Sequence, residues 1–276
     1  MLELTLCNEL LHAEGLPLER QCEVARQLDY CGLELAPETL GATPHLLDRA
    51  QRRAIRRTVE RSGLRVTGLH WLLRPYPALS ITDSDQTAEV QEILCSLVDL
   101  CADLGGRVLI HGSPGQRARP AAISDDALSE RLVEVFAPVA ERAEARGVIY
   151  CIEPLAPDET DVITTVAEGA ALVDAVSSPA FLTMIDISAS GRTEPPVAAL
   201  IRRWVPTGRI GHIHANDTNR GGPGMGDDPF PEIVAALVET GWSAPVGVEP
   251  FRTRVDATVT AAIAAATLRA CERAVH

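Results

Sequence analysis

VIYCIEP (148–154), FLTMIDI (181–187), RIGHIHA (209–215) and PVGVEP (245–250) are short apolar runs, each carrying an ionisable residue at or next to its C-terminal end. Runs of this length, rich in Val and Ile and bounded by turn residues, are what a strand buried on both faces of a parallel sheet requires. Four more lie on the N-terminal side: LELTLCN (2–8), GLELAP (32–37), LRVTGLHWLL (64–73) and RVLIHGS (107–113). Between them run stretches of helical period: LDRAQRRAIRRTVERSG (47–63), TAEVQEILCSLVDLCADLGG (87–106) and DALSERLVEVFAPVAERAEARG (126–147). Each ends in a glycine suited to the left-handed position after a helix. DATVTAAIAAATLRACERAV (256–275) follows the eighth run, and its Val, Ile and Leu spacing marks a closing helix. Eight strand–helix pairs predict an α/β protein with a single closed (β/α)8 TIM barrel, one domain over residues 1–276, rather than a doubly wound open sheet.

Composition narrows the class. At 276 residues the chain has the length such a barrel needs as one unit, about 250 residues. Apolar residues make up 46% of it, but no apolar run reaches the roughly 20 residues of a membrane span. The N-terminal MLELTLCNELLHAEG starts directly on a strand pattern with no basic leader. A cytoplasmic protein without membrane contact is expected. Seven scattered cysteines, an odd number with no CxxC pair, predict neither a disulfide framework nor a zinc–thiolate site. The net charge of −13 argues against a nucleic-acid partner, which demands clustered Lys and Arg.

Barrel enzymes build their sites at the C-terminal ends of the strands. There the last four runs place Glu153, Asp186, His214 and Glu249. Charged groups are rarely buried unless paired or bound to a metal. Three converging carboxylates would repel one another, and a divalent cation removes that conflict. The intervals, 33 residues from Glu153 to Asp186, 28 to His214 and 35 to Glu249, are each about one βα unit. The four groups are therefore expected at one height on adjacent strands. One imidazole and three carboxylates suit one Mn²⁺ ion best, with Mg²⁺, Co²⁺ and Zn²⁺ compatible.

IEPLAPDET (152–160), MIDIS (184–188), GHIHANDTNRGGPGMGD (211–227) and VGVEPF (246–251) resemble the strand ends of the sugar isomerase and epimerase family with the xylose-isomerase-like barrel, which includes D-tagatose and D-psicose 3-epimerases. The likeness is strong over the last four strands and looser before them, through CNEL, GLELAP and GLHWLL. It implies metal roles for Glu153, Asp186, His214 and Glu249. It implies sugar contacts for Glu159, six residues after the first ligand, and for Arg220, six after His214, a register that selects His214 over His212. It also implies a small ketose or ketose phosphate as substrate and, by analogy, a homo-oligomer, dimer or tetramer. Those epimerases carry a substrate-contacting His three residues after the metal Asp, where this chain has Ala189. The substrate, and even the reaction, is thereby opened.

On the implied ligand set, a ketose carbonyl is polarised and its α proton becomes removable by a carboxylate. Glu153 and Glu249, on opposite sides of the sugar, are the expected acid–base pair, working through a cis-enediolate. The alternatives on the same scaffold are a cyclitol or keto-acid reaction, such as inosose or dehydroshikimate dehydration or hydroxypyruvate isomerisation, or a non-catalytic sugar-binding barrel. Endonuclease IV-like hydrolysis needs more His ligands and a basic groove than this chain offers. His70 and His111, ending the third and fourth strands, are further expected substrate contacts. Glu34 is open between a cavity contact and a core residue, and His212 is expected as a core or supporting group; Trp71 and Phe251 are expected to pack against the apolar face of a sugar or in the rim, Arg117 to be a solvated loop residue or to bind an anionic group, and GGPGMG (221–226) to be a lid.

Overall fold

The computed structural model describes residues 1–275. Among them, eight parallel strands close into a barrel in chain order: β1 (Leu4–Cys7), β2 (Gly32–Leu35), β3 (Arg65–Leu69), β4 (Val108–His111), β5 (Ile149–Ile152), β6 (Phe181–Asp186), β7 (Ile210–Ala215) and β8 (Val246–Val248). β8 seals the ring against β1 in the register Leu4 to Val246 and Leu6 to Val248. All eight runs read from the sequence are strands.

Around the ring pack α1 (Glu9–Ala13), α2 (Leu18–Gln27), α3 (Arg49–Arg61), α4 (Thr87–Leu104), α5 (Asp125–Arg146), α6 (Val166–Val176), α7 (Ile187–Thr193), α8 (Val197–Trp204), α9 (Phe230–Glu239) and α10 (Ala257–Val275). The glycines expected to stop α3, α4 and α5 do so: Gly63, Gly105 and Gly147 have φ of +75°, +90° and +65°. No described helix is long and apolar enough to cross a membrane. All seven cysteines are free thiols.

The main apolar core lies between the strands and the helices. A second, small cluster of Val108, Ile110, Cys151 and Met184 is separate from it, as expected for side chains enclosed by the ring. Side chains on a strand alternate in direction, so these four residues set the phase of β4, β5 and β6. Glu153 and Asp186 follow Cys151 and Met184 by two residues and turn inward with them. His111 follows Ile110 by one and turns outward.

Candidate metal centre

Glu153, Asp186, His214 and Glu249 are all buried, and each offers a ligand atom within 4.8 Å of the others. Strand register accounts for the meeting. Asp186 and His214 are direct partners across β6 and β7, His214 stands opposite Gly247 on β8, and Glu249 lies just beyond the end of β8. Close approach is possible because two neighbours lack side chains: a Cβ on Gly247 would sit 2.7 Å from His214 Cδ2, and one on Gly112 would collide with Glu153 Oε2.

Each group is fixed by what surrounds it. Asp186 caps α7, its Oδ1 accepting from Ala189 N at 2.7 Å, and its Oδ2 accepts from Asn216 Nδ2 at 2.7 Å. His214 Nε2 lies 2.9 Å from Glu34 Oε1 in hydrogen-bond geometry, which assigns the ring proton to Nε2. Its Nδ1 then faces Glu249 Oε2 at 2.9 Å and Asp186 Oδ2 at 4.0 Å. Nδ1 makes no hydrogen bond, and neither does either oxygen of Glu249. Buried atoms this close with no proton aligned between them fit a shared cation, a carboxylate–imidazole set in which Glu34 orients the ligand ring from behind.

The electrostatics point the same way. Burial raises Glu153 well above the carboxylate range, helped by the charges of Glu249 and Asp186. Burial likewise raises Asp186 and Glu249. Burial alone would depress His214, but Glu249 and Glu34 more than offset it and lift it well above the usual imidazole value. Without a cation the cluster therefore retains protons in its place.

The remaining expected residues divide. Glu159 and Arg220 are brought to the site, joined Oε1 to Nη1 at 2.8 Å, with Arg192 on the other Glu159 oxygen at 2.6 Å. Both line a cavity of about 330 Å³ that opens on Glu153. His70 reaches the metal groups but lies beneath them, bonded to Glu9 Oε2 at 2.8 Å and 4.0 Å from Glu249 Oε1, and is not a wall of the cavity. His111 is not brought in. Its outward phase puts it against Phe136 of α5, ring centroids 5.4 Å apart, and on the Tyr150 hydroxyl at 2.6 Å, and burial pushes it down to about 3.

Arg117, expected in solvent, is fully buried, donating from Nη2 to the Glu153 carbonyl at 2.7 Å. Burial holds its guanidinium down to about 10. The 221–226 loop is stitched internally, Asp217 N to Gly221 O at 2.8 Å and Asn219 Nδ2 to Met225 O at 3.0 Å. Glu9 and Asn216 were missed by the sequence reading. Asn216 could have been found as the polar residue two positions beyond His214 on the same side.

A parallel barrel that gathers one imidazole and three carboxylates at the ends of its last four strands is a barrel with a candidate metal site. The sequence model of the xylose isomerase-like TIM barrel family matches residues 22–271, and the chain belongs to that family. A D-psicose 3-epimerase of Ruminiclostridium cellulolyticum is 36% identical over 122 residues, 44% of this chain and 41% of that one. An L-ribulose 3-epimerase of Mesorhizobium japonicum is 30% identical over 178 residues, 64% and 59%. The matched stretches thus span about half the length of these relatives. A solved L-ribulose 3-epimerase superposes with a TM-score of 0.80 at 22% identity, covering 99% of this chain and 97% of that one, a likeness of fold.

Proposed function

We propose that this protein is a divalent-metal-dependent sugar epimerase or isomerase that moves a proton at the carbon beside the carbonyl of a small ketose. The observation that carries this reading is the set of inward groups on four successive strands, with His214 Nδ1 and both Glu249 oxygens buried and unbonded. Glu153, Asp186, His214 and Glu249 would hold the ion, Mn²⁺ being the one expected from the donors. Such an ion supplies Lewis acidity, which polarises a ketose carbonyl and acidifies the neighbouring C–H. Glu153 faces the cavity directly, and its carboxylate is the group placed to take that proton. Glu249, just past the end of β8, is the second glutamate of the set and would return a proton to the opposite face of the sugar's enediolate.

Arg117 pins the backbone at Glu153, while Glu159 and Arg220 at the mouth are placed to bind the sugar's hydroxyls. The relatives named as D-psicose and L-ribulose 3-epimerases support a ketose as substrate.

The test is metal content by mass spectrometry for wild type and Glu249→Gln, then proton exchange of D-psicose, D-fructose and L-ribulose in D₂O with added Mn²⁺. One ion per wild-type chain and metal-dependent exchange that the variant loses are expected. A wild-type chain that takes up no ion even from added Mn²⁺ overturns the reading.

A further inference from the structure

The cavity above the metal groups is larger and less polar than a free ketose requires, and we infer that the substrate is a keto-sugar conjugate carrying an apolar or aromatic substituent away from its reacting carbons. This rests on the proposed epimerase reading of the site and names its substrate class.

From Glu153 at one end, the walls of the roughly 330 Å³ space are set by Trp71, Pro77, Pro114, Leu155 and Phe251. That volume falls in the range of pockets that enclose drug-sized ligands, beyond what six carbons fill. The trailing hydroxyls of a free ketose would have to find partners here, since a buried polar group left unmatched loses its water without compensation. Of the charged side chains along the cavity, Arg74 is paired outside it with Glu38 at 2.8 Å, which leaves Glu159 and Arg220, themselves joined at 2.8 Å, to meet hydroxyls of the sugar. Ser113 and Gln116 are the uncharged polar side chains on its wall, and Ser113 Oγ already accepts from Leu73 N at 3.1 Å.

The apolar wall is also built to stay in place. The rings of Trp71 and Phe251 lie 5.9 Å apart and within 18° of parallel, with the Arg74 and Arg220 guanidinium groups 4.0 and 4.5 Å over them. Three residues lining this one cavity hold the left-handed backbone without being glycine: Trp71 at φ +53°, Ser113 at +45° and Arg220 at +68°. Such strain persists where the surroundings over-determine it, and it clusters at ligand sites. Cross-ties between strand-end loops provide that determination, Leu73 N to Ser113 Oγ at 3.1 Å and Phe251 N to Arg220 O at 2.9 Å. A fixed wall of aromatic and proline carbon is complementary to a ring or chain of carbon on the ligand.

Two measurements test this. In the first, Mn²⁺-loaded protein is given phenyl 3-keto-β-D-glucoside, D-fructose and D-psicose, and proton exchange in D₂O is followed. In the second, metal-free protein is titrated calorimetrically with phenyl and methyl β-D-glucoside. At least tenfold higher kcat/KM for the phenyl conjugate, and tighter binding of the phenyl than the methyl glycoside, are expected. Trp71→Ala and Phe251→Leu should each erode both preferences while leaving the Mn²⁺ stoichiometry unchanged. Exchange of the free ketoses as fast as or faster than the conjugate overturns this inference and leaves the epimerase reading standing. Exchange of none of the sugars removes that reading, and equal binding of the two glycosides then overturns the inference as well.

Discussion

Glu34 sits among three imidazoles: His212 and His214 each at 2.9 Å and His70 at 3.5 Å. Burial would raise its carboxyl, but His212 and His214 hold it well below the usual range, so it stays an acceptor. By taking the Nε2 proton of His214 it leaves Nδ1 directed at Glu249. An amide at this position can accept from one imidazole but presents an N–H to the other, and the ligand ring is no longer held in one tautomer. Glu34→Gln is expected to weaken Mn²⁺ binding on the order of 10–100-fold, measured by electron paramagnetic resonance titration of free Mn²⁺. Wild-type affinity in that variant would show that the ring is held by other means. The four strand-end groups were legible in the sequence because each ends an apolar run at an interval of one βα unit. His111 also ends an apolar run, but in RVLIHGS nothing shows which residues face inward, and a shift of one reverses the side chain. The role of Glu34 depends on rings from β3 and β7, a meeting that spacing along the chain does not reveal.

At the scale of the element, helix ends were readable because glycine has a definite use there, and Gly63, Gly105 and Gly147 took it. The third strand was read to residue 73 but ends at Leu69, because Trp71 leaves the strand at φ +53° to become part of the cavity wall. α7, capped by Asp186 and starting at Ile187, was not foreseen, since its cap doubles as a candidate ligand. Pro138 inside α5 removes the N–H that Glu134 O would accept in a regular helix. Gln91 of α4 fills the gap, its Nε2 donating to Glu134 O at 2.8 Å. Gln91→Ala should lower stability by about 1 kcal/mol in urea unfolding, the worth of one such bond. In a Pro138→Ala background the helix supplies its own donor, and the effect of Gln91→Ala should shrink toward zero. Equal losses in both backgrounds would mean that Gln91 acts through some other contact.

For the whole molecule, the raised groups of the centre couple folding to both pH and metal. A group whose folded value lies above its unfolded one stabilises the fold fully at low pH and loses that contribution as pH rises through the folded value. Glu153 and His214 are both of this kind, so the metal-free protein should lose stability as pH climbs through neutrality and beyond. A divalent ion replaces those protons and favours the native state alone, by about 2.7 kcal/mol at a free concentration of 100 Kd. The rise in Tm on saturation with Mn²⁺ should therefore be larger at pH 8.5 than at pH 6, by differential scanning calorimetry. A rise independent of pH would mean that binding displaces no protons and that the cluster holds none.

Closure of the ring carries a further consequence, for the order of events during synthesis. Glu249 stands just past β8, the strand that seals against β1, so the proposed grip on an ion depends on closure of the ring. A ribosome-bound chain lacking β8 would display Glu153, Asp186 and His214 without the group that completes them. On the proposed ligand set, the complete grip would therefore form only once β8 has closed against β1, so capture of an ion would follow closure of the ring rather than guide it.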